Sequence, residues 1–504
     1  MAANPENPDY TNGRVARSPF VFAAAALIGA ASVASLLLFT VVAALRLRFP
    51  FELEWLEGLV LDHVRRVVAG LPVYPPPSLD FIPAVYAPFY YYVAAAAGGV
   101  FGDGFFPLRL VSFTAALGCF AVIFEIVRRE TRAPLWAVFA AGLFAAANSV
   151  CGYYLDLARV DSLFLFFFLA TVLLVRFGES AALGVAAGLL AAAATFTKQS
   201  AAPALAPLLC WAVCYRRQRA WPLLATFAAA SAATVWLLDR ASAGWFWRYC
   251  FVYPSQQPLT AHSPAAFWTG LVFGHLPIAA VAAASFLVAG QRARRNAETW
   301  FYAALLLGAG VTSWLTYLKA GAVDNSLLPA AAALAIVAAL GFADAAGRAF
   351  AMAWRRRLAA ATIGALCLAQ FALLRYDPAA LIPSAADAAA GARLLSMLRV
   401  FPGDVFIVAH GYLGPSIGKR SHSHLMSWQD VFCTRDEATK RALEAEITAA
   451  FERGQFDAIV LDGLYYPFVQ TILKRYRLRG QTRDFPKQMP WPNFLFVRND
   501  LAPP

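Results

Sequence analysis

The chain has 504 residues, of which 60% are hydrophobic and only 14% charged, with a mean hydropathy of +0.57, against roughly 45–50% apolar and about 25% charged in soluble domains. That composition excludes a soluble enzyme of this length. The net charge of +12 comes from short Arg clusters between apolar runs, as loop charges that fix membrane topology do, so nucleic-acid binding is excluded too.

The apolar residues are spread over many runs, which predicts a polytopic α-helical membrane protein. The first run, 20–45, is too long for a signal peptide and follows Arg14 and Arg17. It is expected to be an uncleaved span behind a cytoplasmic tail, 1–19. Runs at 105–127, 134–153, 162–177, 181–196, 200–214, 221–238, 268–290, 299–317, 327–342 and 358–374 complete about eleven spans in a membrane core, 20–375.

Segment 85–102 opens with Tyr86, Phe89, Tyr90, Tyr91 and Tyr92 and is read as interfacial. Only then do Arg128/Arg129/Arg132, Arg216/Arg217/Arg219, Arg292/Arg294/Arg295 and Arg355/Arg356/Arg357 all fall on the cytoplasmic side. The loops 46–104, 155–161 and 239–267 and the turns at Lys198 and Lys319 then share the outer face. After Arg375 an Ala/Ser-rich linker leads into helix 389–398, strand 404–409, helix 436–453, strand 458–462, a helix near 469–475 and strand 494–497. This makes a small C-terminal α/β domain, 376–504, extracytoplasmic by the odd number of spans.

Four polar features stand out on that face. Glu54 and Glu57, spaced to share one face of a helical turn, could serve as a base and its modulator. The plain alternative is a pair of solvated acids held by Arg46, Arg65 or Arg66. Arg159 and Asp161 at the outer end of an aromatic span are either functional or a capping ion pair. Lys198 in TFTKQSA and Lys319 in YLKAGAVDNSLLP are lone cations at the tips of helical pairs, a placement that suits a phosphate. Phe164, Phe166, Phe167 and Phe168 could line a groove for a lipid tail. The run Ser421-His422-Ser423-His424 reads as a solvated loop, and no metal is assigned.

The order of an acidic outer loop, a Pro-Tyr-Tyr interfacial helix, the ARVDS turn, the TKQS turn and KAGAVDN resembles the GT-C superfamily of integral-membrane glycosyltransferases. The branch it resembles holds the bacterial relatives of dolichyl-phosphate-mannose protein mannosyltransferases and of the lipid A aminoarabinose transferase. The resemblance covers about 20–342. It implies a sugar on a polyprenyl phosphate as donor, inversion at the anomeric carbon and an acid of the first outer loop as general base. It also implies membrane lipid around the protein and a glycan, lipid or protein as acceptor. Counted back from Gly70, Glu57 stands where the Glu of the family's Asp-Glu pair belongs, and Leu56 replaces the Asp. The base is thus Glu57 or Glu54. Lys198, Lys319 and Arg159 would bind the donor phosphate, with Asp161, Tyr86, Tyr90 and Asn325 in support. No cofactor is expected, and a divalent cation stays open. The implied site is the bacterial inner membrane. The competing reading is a transporter or flippase, which would place its ionisable groups near the bilayer midplane instead of on one face.

Overall fold

The computed structural model describes residues 19–259, 262–293, 296–350, 356–464, 468–481 and 494–501. Residues 1–18 of the expected tail 1–19, with Arg14 and Arg17, and the loop arginines Arg294, Arg295 and Arg355 lie outside the described residues. The first half is helical throughout: α1 (Pro19–Arg46), α2 (Glu57–Val68), α3 (Phe89–Phe101), α4 (Phe105–Thr131), α5 (Pro134–Ala147), α6 (Asp161–Phe177), α7 (Ala181–Thr197), α8 (Ala201–Tyr215) and α9 (Arg217–Ala241). Short helical pieces over 245–256 and 264–275 lead to α10 (Pro277–Arg292), α11 (Asn296–Leu318), α12 (Leu328–Phe350) and α13 (Arg356–Leu373).

Helices thus stand at all eleven expected places, but their lengths differ from the expectation. Among the described residues six are long and apolar enough to cross a membrane, or seven if the bent pair before and after Pro277 is one span. Crossing about 30 Å of hydrocarbon takes about 20 residues. α5 has only 14 and α8 only 15. Both nevertheless pack into the common core. The expected span 268–290 is not one helix, for its two halves meet at 94°. Pro277 cannot donate to the ladder. Gln370 from α13 takes up the freed groups, donating to the His275 carbonyl at 2.8 Å and accepting from the Ala279 amide at 3.0 Å, as apolar surroundings require.

The bundle packs closely where side chains vanish. A Cβ on Gly308 or Gly341 would collide with the backbone carbonyl of Ala204 or Ala282, so each glycine lets two helices touch through their backbones. The aromatic run of α6 belongs to this packing. Phe164 and Phe168 are buried, and Phe166 and Phe167 lean half-buried on the core. They fill space between helices and do not line the cavity described below.

One end of the bundle carries the arginine loops. There Glu130 accepts from Arg176 at 2.6 Å and from Tyr302 at 2.8 Å, and the Trp211 indole donates to the Ala297 carbonyl at 2.7 Å. The opposite end carries α2, α3 and the C-terminal region. α3 has 13 residues, about 20 Å at 1.5 Å per residue, too short to cross.

The C-terminal region comprises α14 (Ala385–Arg399), β1 (Val405–Ile407), α15 (Leu425–Phe432), α16 (Glu437–Glu452), β2 (Ala458–Leu461), α17 (Val469–Arg475), β3 (Tyr476–Gln481) and β4 (Phe494–Arg498). The strands run in the order β1-β2-β4-β3, with β1 parallel to β2 and the other two pairs antiparallel. β3 was not expected, because its alternating arginines hide a strand whose apolar residues are few. Phe406, Ile459 and Val497 of this sheet share one hydrophobic core with Val60 of α2, Tyr90 of α3 and Tyr249.

Polar contacts make the same junction. The run 421–424 is not a solvated loop. Ser421 donates to Asp62 at 2.6 Å, Ser423 donates to the Leu79 carbonyl at 2.7 Å, and His422 and His424 are buried. His410 lies between Glu52, 2.5 Å away, and Asp462, 3.4 Å away. Burial alone would lower its imidazole, but the two carboxylates outweigh it and push the group up to about 10. A buried Glu52–His410–Asp462 chain therefore ties the C-terminal region to the acidic loop.

Candidate active site

The acidic loop 47–56 is stitched down by Arg109, which α4 carries fully buried. Its guanidinium donates to the carbonyls of Phe49 and Phe51, both at 2.6 Å, and to both oxygens of Glu57, at 3.0 and 2.6 Å. The Glu57 carboxylate also accepts from the amides of Leu53 and Ala158, each at 2.6 Å. Burial would raise this acid, yet Arg109 and the amides hold it below the ordinary glutamate value. Glu57 is a saturated strut between the acidic loop and the loop before α6.

Glu54 and Glu57 do not share a helical face. α2 begins at Glu57, and Glu54 sits in the preceding turn, its carbonyl accepting from the Glu57 amide at 2.9 Å. The Glu54 side chain turns the other way. Its Oε2 accepts from Arg159 at 2.6 Å and from the Leu56 amide at 3.1 Å, whereas Oε1 is buried without a hydrogen-bond partner. Burial raises the Glu54 carboxyl above its ordinary value despite the Arg159 charge. The arginines once considered as partners are engaged elsewhere: Arg46 with Asp156 at 3.3 Å and Arg65 with Asp103 at 2.7 Å.

Arg159 and Asp161 are not a capping pair either. Arg159 reaches Glu54 and, at 3.4 Å, the Tyr86 hydroxyl. Asp161 accepts from Lys198 at 2.7 Å and from Asn325 at 3.1 Å. One carboxylate thereby joins the loop before α6, the α7–α8 turn and the loop before α12. Lys319 donates to the Pro254 carbonyl at 3.0 Å, and burial lowers its ammonium. Lys198 and Lys319 thus come to one place from turns far apart in sequence.

That place is a cavity of about 370 Å³ lined by Glu54, Tyr86, Arg159, Lys198, Lys319 and Asn325, among others. Asp161 stands behind Lys198. Glu57 and Tyr90 stand behind the wall, where the Tyr90 hydroxyl donates to the Leu108 carbonyl at 2.8 Å and meets Ser112 at 3.0 Å. Three cations and an acid with an unpartnered oxygen face one chamber, where low polarity strengthens each charge. Such a chamber can bind an anion and remove a proton beside it.

The sequence reading missed two residues. Arg109 is a lone ionisable group inside an apolar run, FFPLRLVSF, a signal that marks function or a buried partner. Asp430 also lines the cavity, and its helix LMSWQDVF gives no sign of it.

A family model described as dolichyl-phosphate-mannose-protein mannosyltransferase matches residues 85–239. That stretch holds Tyr86, Tyr90, Arg159, Asp161 and Lys198. A search of curated proteins finds no match. Among solved structures the chain is similar to ArnT from Cupriavidus metallidurans in two states. The form bound to undecaprenyl phosphate matches at a TM-score of 0.60 and 14% identity, over 94% of this chain and 98% of that one. The apo form matches at 0.61 and 15%, over the same shares. At such identity the likeness speaks of fold alone: this chain is a polytopic α-helical membrane protein with the fold of these ArnT structures over 94% of its length.

Proposed function

We propose that the protein is an inverting membrane glycosyltransferase that moves a sugar from a polyprenyl-phosphate donor to an extracytoplasmic acceptor, whether cell-envelope lipid, polysaccharide or protein. The observation that carries this reading is the chamber itself, which Glu54 lines together with Lys198, Lys319 and Arg159. Support comes from the matched ArnT structure, which holds undecaprenyl phosphate, and from the family model, whose description names a dolichyl-phosphate sugar donor.

The chemistry divides between the two groups of residues. Glu54 takes the proton from the acceptor hydroxyl as its oxygen attacks the anomeric carbon. The bond from that carbon to the phosphate oxygen breaks on the opposite face, which inverts the centre. Lys198 and Lys319 stabilise the negative charge that grows on the departing phosphate. Arg159 favours the ionised form of Glu54 against the cost of burial, and Glu57 keeps the loop of Arg159 in position, since its carboxylate holds the Ala158 amide.

Substituting Lys319→Ala should raise the KM for a polyprenyl-phosphate sugar about 10- to 100-fold, the range for one charge-assisted contact, with the fold retained because its protein partner is only a carbonyl. Lys198→Ala should cost as much in KM and also lower expression, for it strips buried Asp161 of its cation. Parental KM values in both variants would remove the phosphate from this chamber.

The arginine loops at the other end of the bundle support a chamber and C-terminal region outside the cytoplasm. Alkaline phosphatase fused after Asp500 should be active and the same enzyme fused at Arg217 inactive; the reverse pattern would invert the topology.

A further inference from the structure

Asp430 is only 5% exposed, and it enters the cavity from the C-terminal region, on α15. Its Oδ1 accepts from the Gln257 side chain at 2.5 Å, and among the described residues it makes no ion pair. Burial lifts this carboxyl to about 7. A buried carboxyl with one neutral partner is costly unless something else supplies donors. Both Asp430 and Gln257 line the chamber that holds Glu54, so a bound molecule can supply them.

The position says which part of a substrate would reach it. Gln257 lies three residues beyond Pro254, whose carbonyl holds Lys319. On the other side Met426, one turn before Asp430 on α15, packs on Gly321 in the Lys319 loop. That glycine has φ +75, a conformation that side chains resist, so the loop is held against α15. Lys319 and Asp430 therefore line one chamber from elements that pack on each other, the loop of Gly321 and α15. Trp55 also lines the chamber, and an aromatic ring is a surface of the kind that sugar C–H groups favour.

We infer that Asp430 and Gln257 form a sub-site for hydroxyl groups of the sugar carried by the donor lipid, which lets the protein distinguish a loaded polyprenyl phosphate from the bare one. The inference rests on the phosphate reading of Lys319. A carboxylate beside an amide matches vicinal hydroxyls, since it accepts from two donors at once.

The test compares the affinity of the purified full-length protein for undecaprenyl phosphate and for a set of undecaprenyl-phosphate hexoses and pentoses. The parent should prefer at least one loaded lipid. Asp430→Ala should weaken binding of that lipid about 10- to 100-fold, the range for hydrogen bonds to a charged group, and leave the bare lipid unchanged. Asp430→Asn and Gln257→Ala, which disturb packing less, should reduce the preference in the same direction. A parental preference in all three variants, or an equal loss for both lipids, would overturn the sub-site and leave Asp430 a contact between α15 and 253–257. Lys319→Ala separates the two readings, because it should weaken both lipids alike. If it weakens neither, the phosphate reading fails first.

Discussion

Glu54→Gln is expected to lower sugar transfer by about 10²- to 10⁴-fold, the usual contribution of a general base. The amide keeps the size of the side chain and can still accept from Arg159, so the protein should remain folded and its affinity for the donor lipid largely intact. The loss should therefore appear in kcat. The parent should also show the sign of a raised carboxyl. A base works when deprotonated, so kcat/KM should fall with decreasing pH on a limb that lies above the ordinary glutamate value of 4.5. Full transfer by the Glu54→Gln variant with purified protein, donor and crude acceptor would exclude this acid. A flippase would show no transfer in parent or variant.

Arg109→Leu is expected to have the largest effect on stability. It leaves Glu57 ionised and fully buried without its cation, and it frees the carbonyls of Phe49 and Phe51. Breaking one side of such a pair costs about 3–5 kcal/mol, to be read as a lowered thermal midpoint in detergent. Glu57→Gln should be destabilising for the same reason and should lose transfer as well, because Ala158 and with it Arg159 would drift. The double variant Arg109→Met/Glu57→Gln removes both charges and should recover part of the stability but not the transfer. An unchanged midpoint in Arg109→Leu would show that the strut carries no load. A normal midpoint with no transfer in Glu57→Gln would return this acid to the list of candidate bases.

The two acids of the loop show how far apart these effects lie. They are three residues apart and equally acidic in sequence. One is tied by four hydrogen bonds to Arg109, Leu53 and Ala158, and the other lines the chamber with one buried oxygen left without a hydrogen-bond partner. Register with Gly70 favoured Glu57 as the family's acid, and the geometry favours Glu54 as the group able to meet a substrate.

The sequence by itself determined the places of the helices and the end of the bundle at which polar residues gather, and it grouped Lys198, Lys319 and Arg159 with Glu54 and Glu57, of which the cavity is lined by all but Glu57. Transfer of apolar side chains out of water adds up locally along a run, so the runs could be read without knowing their neighbours, and arginines between them mark a common end. The tertiary structure alone decided which acid faces the chamber, that Arg109 holds the other, that the span through Pro277 breaks, and that Asp430 of the C-terminal region closes the same site. Each of these depends on a partner from a distant part of the chain, such as Gln370 for the break or Gln257 for Asp430. A buried polar group takes whatever donor the packing brings to it, and nothing in the spacing of nearby residues records which one that will be.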